Sequence, residues 1–362
     1  MKQRVLSGMR PTGRLHLGNY LGAAKGMLEL QGNPDYETIF SVVDIHATTT
    51  PYDAATLQQS TRDVFIDYLS IGLDPKKSAI NIQSDLADLI TQLSFYFSSV
   101  ESVARMQDLP TFKDKVRQHP YNVTMALLNY PLLMAADILI YKASLVPVGF
   151  DQEPHLEVAR EIARKMNERY GTDFPEPKRF ATKAEYVPSL LGEGKMSKSI
   201  EGSSIELGDD LDTIMKKLSK APTDSGQGKI KYIEGVPLNE KVADGNIKLR
   251  KYQKFYDRVT DQESNGVANL LQFVELFQGL ERRREYESEY VEGSGIRYGN
   301  LKKELAEAIF IELLPIQKKR AQLEQDVSYV DRMIHEGERK SRAMAEETVA
   351  QVRKKMGLRQ VF

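Results

Sequence analysis

The chain has 362 residues, enough for about two or three domains, and its 41% hydrophobic and 28% charged residues exclude collagen-like and low-complexity architectures. Lys and Arg number 50 against 51 for Asp and Glu, and this net charge of −1 argues against a protein that coats nucleic acid by charge alone. The absence of cysteine excludes disulfides, thiolate zinc sites and a cysteine nucleophile.

Membrane segments are not expected from the sequence. The N-terminal residues lack the apolar core of a signal peptide. No apolar run reaches the ~20 residues that cross a bilayer. We therefore expect a soluble, cytoplasmic protein with no membrane partner.

The first half of the chain alternates short apolar runs with helical patterns. Helices are predicted at 54–71 and 85–97, and strands at 4–6, 38–43, 79–83 and 144–148. Strands separated by helices of this length predict right-handed crossovers and a parallel sheet. Beyond about residue 205 the helical spacing of Glu, Lys, Arg, Leu and Ala predicts an all-helical region.

A glycine-rich segment at residues 7–22 follows the first predicted strand. Its glycines allow a sharp turn and a close approach to a ligand. Gly18 and Asn19 are predicted to open a helix whose N–H groups suit a phosphate, and His16 adds a donor. The alternative is a strand-to-helix turn that binds nothing. The glycine spacing is not that of the dinucleotide fingerprint.

A second segment, residues 192–199, carries Lys195 and Lys198 among glycines and serines. A mobile loop of this kind can close on a polyphosphate and stabilise the charge of a leaving pyrophosphate. Considered alone, a solvated surface loop is the simpler interpretation. The two segments together favour a phosphate site.

The two segments also carry a resemblance to a known family. His16-Leu17-Gly18-Asn19 resembles the HIGH motif, and residues 195–199 are the KMSKS motif letter for letter. In this order and separation the pair resembles the class I aminoacyl-tRNA synthetases of the Trp/Tyr branch, over nearly the whole chain. The resemblance implies amino-acid activation by ATP with Mg²⁺, followed by transfer to tRNA.

The same resemblance implies a domain plan. A Rossmann-like catalytic domain is expected over residues 1–204, with a dimer-interface insertion at about 80–140. A helical domain that binds the tRNA anticodon is expected over 205–362, with its last helix packing back on the catalytic domain. A homodimer is implied, and residues 93–97 offer an apolar surface for it.

Residues 130–141 are largely apolar and contain one acid, Asp137. An unpaired carboxylate in such a helix is costly, so it needs a partner. A backbone amide or a buried arginine would give a structural role, and a substrate N–H would give a functional one. The segment resembles the signature of the tryptophan-specific branch, in which the matching Asp accepts the indole N–H. Such a pocket rejects phenylalanine because the acid would stay unsatisfied.

Residues 146–155 lie at the end of a predicted strand, where ligands of open α/β sheets bind. By resemblance Val146 and Val148 line the indole pocket, although core packing explains whichever valine faces away from it. The family usually has Glu at the position of Phe150 and often Gln at that of Arg10. These departures leave the side-chain roles at both positions open.

Residue by residue, the resemblance implies the following site. The catalytic residues are His16, Asn19, Lys195 and Lys198. The ATP-binding residues are Arg10, Pro11, Thr12, Gly18, Asn19, Gly149, Phe150, Asp151, Val187, Lys195, Met196, Ser197, Lys198 and Ser199. The tryptophan-binding residues are Leu6, Gly8, His46, Met134, Asp137, Val146, Val148 and Gln152.

The five histidines show no metal-ligand spacing, so no structural metal is expected and Mg²⁺ should arrive with ATP. His46 follows the second predicted strand and by similarity packs near the substrate, although a histidine there often caps a helix. His119, His155 and His335 are given structural roles.

The expected reaction is attack of the tryptophan carboxylate on the α-phosphorus of ATP, and then transfer of the tryptophanyl group to tRNA(Trp). Three alternatives stay open. A tyrosyl-specific homologue is disfavoured by Ala135-Ala136-Asp137, and a nucleotidyltransferase has little use for the long helical half. A non-catalytic paralogue that binds tryptophan or tRNA is disfavoured by the intact motifs.

Overall fold

The computed structural model describes residues 2–149, 152–180, 187–192, 196–198, 200–227, 266–291 and 294–360. The chain divides into two compact units. The first consists of Met1–Leu15, Leu21–Glu185 and Lys319–Phe362, and the second of His16–Tyr20 and Tyr186–Lys318. Each unit is therefore assembled from segments that are distant in the sequence.

A five-stranded parallel sheet lies in the first unit. Its strands are β1 (Gln3–Met9), β2 (Tyr36–Val42), β3 (Ala79–Ile82), β4 (Leu145–Val146) and β5 (Lys178–Arg179), in the order β3-β2-β1-β4-β5. The predicted parallel sheet is confirmed. β4 is shorter than predicted and stops before Pro147, which has no N–H for a ladder. β5 was not predicted.

The register brings the carboxyl ends of three strands to one edge. Val5 of β1 lies opposite Thr38 of β2 and Leu145 of β4, and Ile39 of β2 lies opposite Ala79 of β3. Burial of successive residues, such as the last five of β2, is typical of a parallel strand covered on both faces. The side chains that follow β1, β2 and β3 therefore share one edge of the sheet.

Fourteen α-helices are present in the described ranges. They are α1 (Leu17–Asn19), α2 (Lys25–Gly32), α3 (Asp44–Ala47), α4 (Ala54–Ser70), α5 (Ala87–Ser98), α6 (Val103–Asp108), α7 (Pro110–Gln118), α8 (Met125–Ile140), α9 (Glu153–Tyr170), α10 (Leu211–Ser219), α11 (Gly266–Gln278), α12 (Leu280–Val291), α13 (Tyr298–Gln325) and α14 (Val327–Lys355). A π-helical turn spans Tyr20–Ala24, and a 3₁₀ turn spans Gln83–Leu86. Both predicted helical windows are confirmed by α4 and α5. None of the helices in these ranges combines the length and apolar composition that crossing a bilayer requires.

The core of the first unit corrects one expectation from the sequence. Leu93 and Phe97 of α5 were expected to offer an apolar surface, but both are fully buried in that core. Phe95, between them, points outward and is 75% exposed. Helical spacing explains the difference, because residues four apart share a face and the residue between them does not.

α14 lies very close to β3. Gly337, Ser341 and Ala345, spaced by four, are buried on one face of α14. A Cβ built on Gly337 would lie 1.6 Å from the carbonyl oxygen of Ile80. Beside it, Nδ2 of the fully buried Asn81 donates to Oγ of Ser341 at 2.7 Å. The small residues of α14 therefore allow its backbone to touch the strand.

Helices dominate the second unit. In its described part, α11 packs on α12, and buried leucines from α10 and α13, Leu218, Leu301 and Leu305, contribute to its interior. Asn269 of α11 donates to the backbone carbonyl of Ser189.

Asp85, which follows β3, lies where ionisation of its carboxyl group is unfavourable. Its Oδ2 atom is buried without a hydrogen-bond partner among the described residues. Burial, and after it the charges of Glu338 and Asp44, raise the pKa of Asp85 to about 6 from its ordinary 3.8. Folding therefore favours the protonated form. The stability that this preference contributes is complete below pH ~4 and is lost as the pH rises through about 6.

The Gly337→Ala substitution should lower the free energy of unfolding by ~3 kcal/mol or more, because the methyl group would overlap the carbonyl of Ile80. Urea unfolding measures the change. Gly32→Ala is the control: Gly32 ends α2 and a Cβ there meets nothing within 4 Å, so its effect should be below ~1 kcal/mol. Equal effects of the two substitutions would contradict the close approach.

The Asp85→Asn substitution should stabilise the protein at pH 7.5 by roughly 1 kcal/mol, a value reduced for the half-exposed position, and should have little effect near pH 4. Thermal unfolding at both pH values measures it. Asp88→Asn is the control, because Asp88 is ion-paired with Arg342 at 3.0 Å and its removal should not stabilise. A gain that does not depend on pH would be inconsistent with titration of Asp85.

Candidate active site

Asp137 lies on α8 in the first unit and is 7% exposed. Its neighbours along the helix, Ala135, Ala136 and Ile138, are completely or almost completely buried, so Asp137 lies on a buried and largely apolar stretch of α8. Its partners are neither a backbone amide nor an arginine. Gln83 Nε2 donates to Oδ1 at 2.8 Å and to Oδ2 at 3.0 Å, and His46 Nε2 lies 2.8 Å from Oδ2.

His46 lies on the short helix α3, which follows β2. Its backbone carbonyl accepts from Thr49 Oγ1 at 2.8 Å, and its backbone N–H is bound by Gln83 Oε1 at 3.2 Å. The ring is buried and meets Asp137. The structure thus brings together two residues that the sequence placed near the substrate.

Gln83 is the residue of this cluster that sequence reasoning missed. It is fully buried, immediately after β3, and it contacts both α3 and Asp137. Its signal in the sequence is a polar side chain directly after a buried strand. It therefore lies at the same sheet edge as the residues that follow β2.

Gln152 belongs to a second polar cluster of the first unit, centred on His155. Gln152 Oε1 lies 2.9 Å from Nδ1 of His155, and Thr111 Oγ1 lies 2.6 Å from its Nε2. The Tyr130 hydroxyl also hydrogen-bonds Nε2, and the two rings meet edge to face at 4.8 Å. His155, 2% exposed, connects three side chains, which fits the structural role that the sequence suggested.

Arg10 follows β1 in the same unit. Its guanidinium donates to Thr50 Oγ1 at 3.1 Å. Burial lowers the pKa of Arg10, and Tyr130 opposes this effect. Burial raises the pKa of Tyr130, because it disfavours the charged phenolate just as it disfavours the charged guanidinium. Pro11 is buried, whereas Thr12 is exposed and its N–H is bonded to the carbonyl of Arg10.

The remaining predicted tryptophan-site residues are mostly part of the core of the first unit. Leu6 and Val146 are buried in it, and Met134 and Val148 are half-buried against it. A Cβ on Gly8 would lie 2.9 Å from a methyl group of Val43, so this position needs glycine. Gly149 is half-exposed. Phe150 and Asp151 lie outside the described residues.

The residue before the first motif is fixed by a buried ion pair of the first unit. Leu15 N–H donates to Asp67 Oδ2 at 2.7 Å, and Arg320 binds the other oxygen of the same carboxylate. Burial raises the pKa of Asp67, while Arg320 and the Leu15 N–H oppose this effect. The chain therefore enters the motif from a constrained position.

The first motif lies in the second unit, where His16 caps α1. Nδ1 of His16 accepts from Gly18 N–H at 3.0 Å, and Asn19 Oδ1 accepts from His16 N–H at 3.2 Å. In a neutral ring this arrangement puts the proton on Nε2, so His16 keeps the donor that the sequence suggested. Leu17 N–H bonds the carbonyl of Ile205 at 2.8 Å, which ties the motif to a later segment.

The described part of the second motif, Met196 to Lys198, lies beside the first. Met196 is buried, its N–H bonds the carbonyl of the fully buried Val187 at 2.9 Å, and its sulfur accepts from Gly18 N–H at 3.2 Å. A Cβ on Gly18 would lie 3.1 Å from Cβ of Met196 and closer still to the His16 ring. Lys195 and Ser199 lie outside the described residues.

Ser197 and Lys198 have partners of their own in the second unit. Ser197 N–H donates to Ser203 Oγ at 3.1 Å. Lys198 Nζ lies 3.3 Å from Glu206 Oε2, and the backbone of Glu206 forms an antiparallel bridge with His16. The structure therefore joins the two motifs through one acidic residue.

Metal ligands form no group of three or more His, Asp or Glu within the described residues. The chemistry that the side chains offer is hydrogen bonding to an N–H at Asp137 in the first unit. The second unit offers the cation of Lys198, which is ion-paired with Glu206, and the imidazole N–H of His16 and the side-chain amide of Asn19 in the first motif.

Comparison with known proteins shows which family the chain belongs to. A family model described as tRNA synthetases class I (W and Y) matches residues 1–313. The tryptophan–tRNA ligase of Porphyromonas gingivalis is 37% identical over 360 residues, covering 99% of this chain and 100% of that protein. That of Helicobacter pylori strain 26695 is 37% identical over 361 residues, covering 99% of each.

Among solved structures, the tryptophanyl-tRNA synthetase from Campylobacter jejuni complexed with ADP and tryptophan is similar, with a TM-score of 0.78 and 28% sequence identity. The match covers 98% of this chain and 100% of that one. On the family model and the full-length relatives, the chain belongs to the class I tRNA synthetases of the W and Y group and, within them, to the tryptophan–tRNA ligases.

Proposed function

We propose that the chain activates L-tryptophan with ATP to tryptophanyl-adenylate and pyrophosphate, and then transfers the tryptophanyl group to tRNA(Trp). The observation that carries this proposal is the buried Asp137, whose carboxylate oxygens are held by Gln83 and His46. A buried acceptor that must be satisfied selects a substrate with a matching N–H.

The indole N–H of tryptophan is that donor. Phenylalanine has no donor on its ring and would leave unfilled the acceptor capacity that the buried Asp137 carboxylate keeps beyond its bonds to Gln83 and His46, which is costly. We assign the tryptophan site to Asp137, His46 and Gln152, with apolar contacts from Leu6, Gly8, Met134, Val146 and Val148.

Activation needs no general base, since a carboxylate is already a nucleophile at neutral pH. The tryptophan carboxylate oxygen forms a bond to the α-phosphorus of ATP, and the bond from that phosphorus to the bridging oxygen breaks and releases pyrophosphate. The protein contributes positioning and charge stabilisation. ATP enters as its Mg²⁺ complex, and the metal belongs to the substrate.

We assign the charge stabilisation to four residues. The Nε2–H of His16 and the side chain of Asn19 meet the phosphates of ATP, while Lys195 and Lys198 bind the leaving pyrophosphate. Lys198 is ion-paired with Glu206, whose backbone bridges His16, and this link between the two motifs supports the role. To reach pyrophosphate, Lys198 exchanges one anionic partner for another.

Further contacts to ATP are assigned from the family motifs. They comprise Arg10, Pro11, Thr12, Gly18, Gly149, Phe150, Asp151, Val187, Met196, Ser197 and Ser199. Several of them rest on backbone groups, because Gly18 and Gly149 have no side chain and Pro11, Phe150 and Val187 have no polar one. Arg10 bonds Thr50 and lies near Tyr130, so it suits a ribose or phosphate oxygen.

The remaining expectations concern larger partners. We propose that residues 205–362 bind the tRNA anticodon, after a catalytic region in residues 1–204. We also propose that two copies form a homodimer through residues 80–140, where Phe95 is strongly exposed. The protein is proposed to act in the cytoplasm.

ATP–pyrophosphate exchange tests the proposed function. Exchange should depend on L-tryptophan and should be roughly 10³-fold or more slower with tyrosine or phenylalanine, because a buried acceptor must be paired. Exchange with tyrosine would contradict the role of Asp137. Saturable tryptophan binding without any exchange would instead indicate a non-catalytic binding protein.

The Lys198→Ala substitution should lower the single-turnover rate of adenylate formation by about 10²-fold, and should change tryptophan affinity by less than about threefold, because only the charge on pyrophosphate is affected. Lys217→Ala is the matched control. Lys217 has a similarly buried side chain and is ion-paired with Asp209 at 2.6 Å in the same unit. An unchanged rate with Lys198→Ala, or an equal loss in the control, would refute the role.

A further inference from the structure

Gln83 has a side-chain amide whose orientation is fixed by its neighbours. Its Oε1 lies 3.0 Å from the backbone nitrogen of Ile45 and 3.2 Å from that of His46. Backbone N–H groups only donate, so the oxygen of the amide must face them. The amide nitrogen therefore faces Asp137, and both of its distances to the carboxylate oxygens are 3.0 Å or less.

We propose that Gln83 is a positioning residue for substrate specificity: it holds Asp137 in the orientation and state in which the carboxylate accepts the indole N–H. This inference rests on the proposed function. It adds to that function a residue that contacts the Asp137 carboxylate and not the substrate itself.

The chemistry of the carboxylate gives the first reason. An ionised carboxylate is an acceptor only, with about four lone-pair sites on its two oxygens. Gln83 donates toward both oxygens and His46 lies within hydrogen-bond distance of Oδ2, so these partners suit the ionised form. A carboxylate held in this way cannot donate, and it presents its remaining acceptor capacity to a ligand N–H.

The position of Gln83 gives the second reason. Gln83 is fully buried, and one amide group connects the backbone at the start of α3 with the side chain on α8. It binds the N–H of the same residue, His46, whose ring meets Asp137. A displacement of Gln83 would move both partners of the specificity carboxylate together.

A purely structural role for Gln83 would require a different atom of its side-chain amide. To hold the start of α3, only the amide oxygen is needed, whereas to position Asp137 the amide N–H is needed. Gln83→Glu separates the two roles, because it keeps an oxygen for Ile45 and His46 and replaces the donor with a second oxygen. The new carboxyl group can bond Asp137 only while the two share a proton.

The experiment is a titration of L-tryptophan into the wild-type chain and Gln83→Glu between pH 6 and pH 9, followed by ligand fluorescence. The chain has 0 Trp, so only the ligand emits when tyrosine is not excited. Near pH 6 the variant should bind within about threefold of the wild type. By pH 9 its dissociation constant should rise roughly 10- to 100-fold, because two ionised carboxylates repel each other and Asp137 loses a donor.

Discrimination supplies a readout that a structural role would not change. In ATP–pyrophosphate exchange, tryptophan is compared with 3-(benzothiophen-3-yl)-L-alanine, an isostere in which sulfur replaces the indole N–H. At pH 9 the preference of Gln83→Glu for tryptophan should fall about tenfold or more relative to the wild type. The KM for ATP should stay unchanged.

Two controls isolate the effect. The wild-type profile contains the titratable groups already present near the pair, among them His46 and Tyr141, with Asp44 and Asp85 at the adjacent turn. The matched variant Asn81→Asp places a carboxyl group at the fully buried amide of β3, two residues before Gln83. Asn81 bonds Ser41, Ser341 and the Tyr141 hydroxyl rather than Asp137, so the profile of the variant should parallel the wild type.

Several outcomes would overturn the inference. They are a Gln83→Glu profile parallel to the wild type, an equal loss of affinity at pH 6 and pH 9, and the same pH response from Asn81→Asp. If Gln83→Glu does not fold, a crystal structure of the wild type with L-tryptophan decides. It should show the indole nitrogen and Gln83 Nε2 bonded to the same carboxylate, and a broken Gln83–Asp137 contact would refute the role.

The proposed function has a separate readout. If the wild type binds tryptophan but catalyses no exchange, the function as a ligase fails, while the pH profile of tryptophan affinity in Gln83→Glu still decides the role of Gln83. If exchange proceeds and that profile is flat, the inference about Gln83 fails and the function stands.

Discussion

The burial of the Asp137 carboxyl group on the largely apolar helix α8 is the constraint on which the first unit depends. Burying Asp137 among Ala135, Ala136 and Ile138 is costly unless donors surround it. Those donors come from two other elements, His46 after β2 and Gln83 after β3. The parallel register that brings these strand ends to one edge is therefore what makes the buried acid tolerable, and this acid is the group that we propose as the acceptor for the indole N–H.

Two side-chain amides at the end of β3 connect this strand to the rest of the first unit. Asn81 lies in β3 and Gln83 follows it directly. Both are fully buried, and each bonds a different part of the unit. Asn81 bonds Ser41 of β2 and Ser341 of α14, while Gln83 bonds the backbone of α3 and the side chain of Asp137. A buried amide can accept on one side and donate on the other, which suits it to joining a backbone N–H to a carboxylate. The site and the covering helix are thus supported from one short strand.

The sequence predicted the sheet well where apolar runs alternate with helical windows, as for β1, β2 and β3. It also singled out Asp137, because an acid in an apolar helix is conspicuous. It did not predict β5, since Lys178 and Arg179 form no apolar run. It also missed Gln83, whose partners lie 37 to 54 residues away along the chain. Hydrogen bonds at that separation depend on how the elements pack, and periodicity does not contain this information. Leu93 and Phe97 were mistaken for surface residues for a different reason: the apolar run was not divided by its helical spacing, which puts these two residues on one face and Phe95 on another.

The contact between Gly337 and Ile80 has a consequence for how the protein is made. The hydrogen-bonded partners Asn81 and Ser341 are 260 residues apart, so β3 leaves the ribosome long before the helix that covers it. Until α14 is synthesised, β3 has one side uncovered. This strand carries Asn81 and is followed by Gln83, and both side chains are buried in the folded protein. Completion of the first unit is therefore coupled to synthesis of its distant segment, and contacts between residues so far apart in the sequence form slowly.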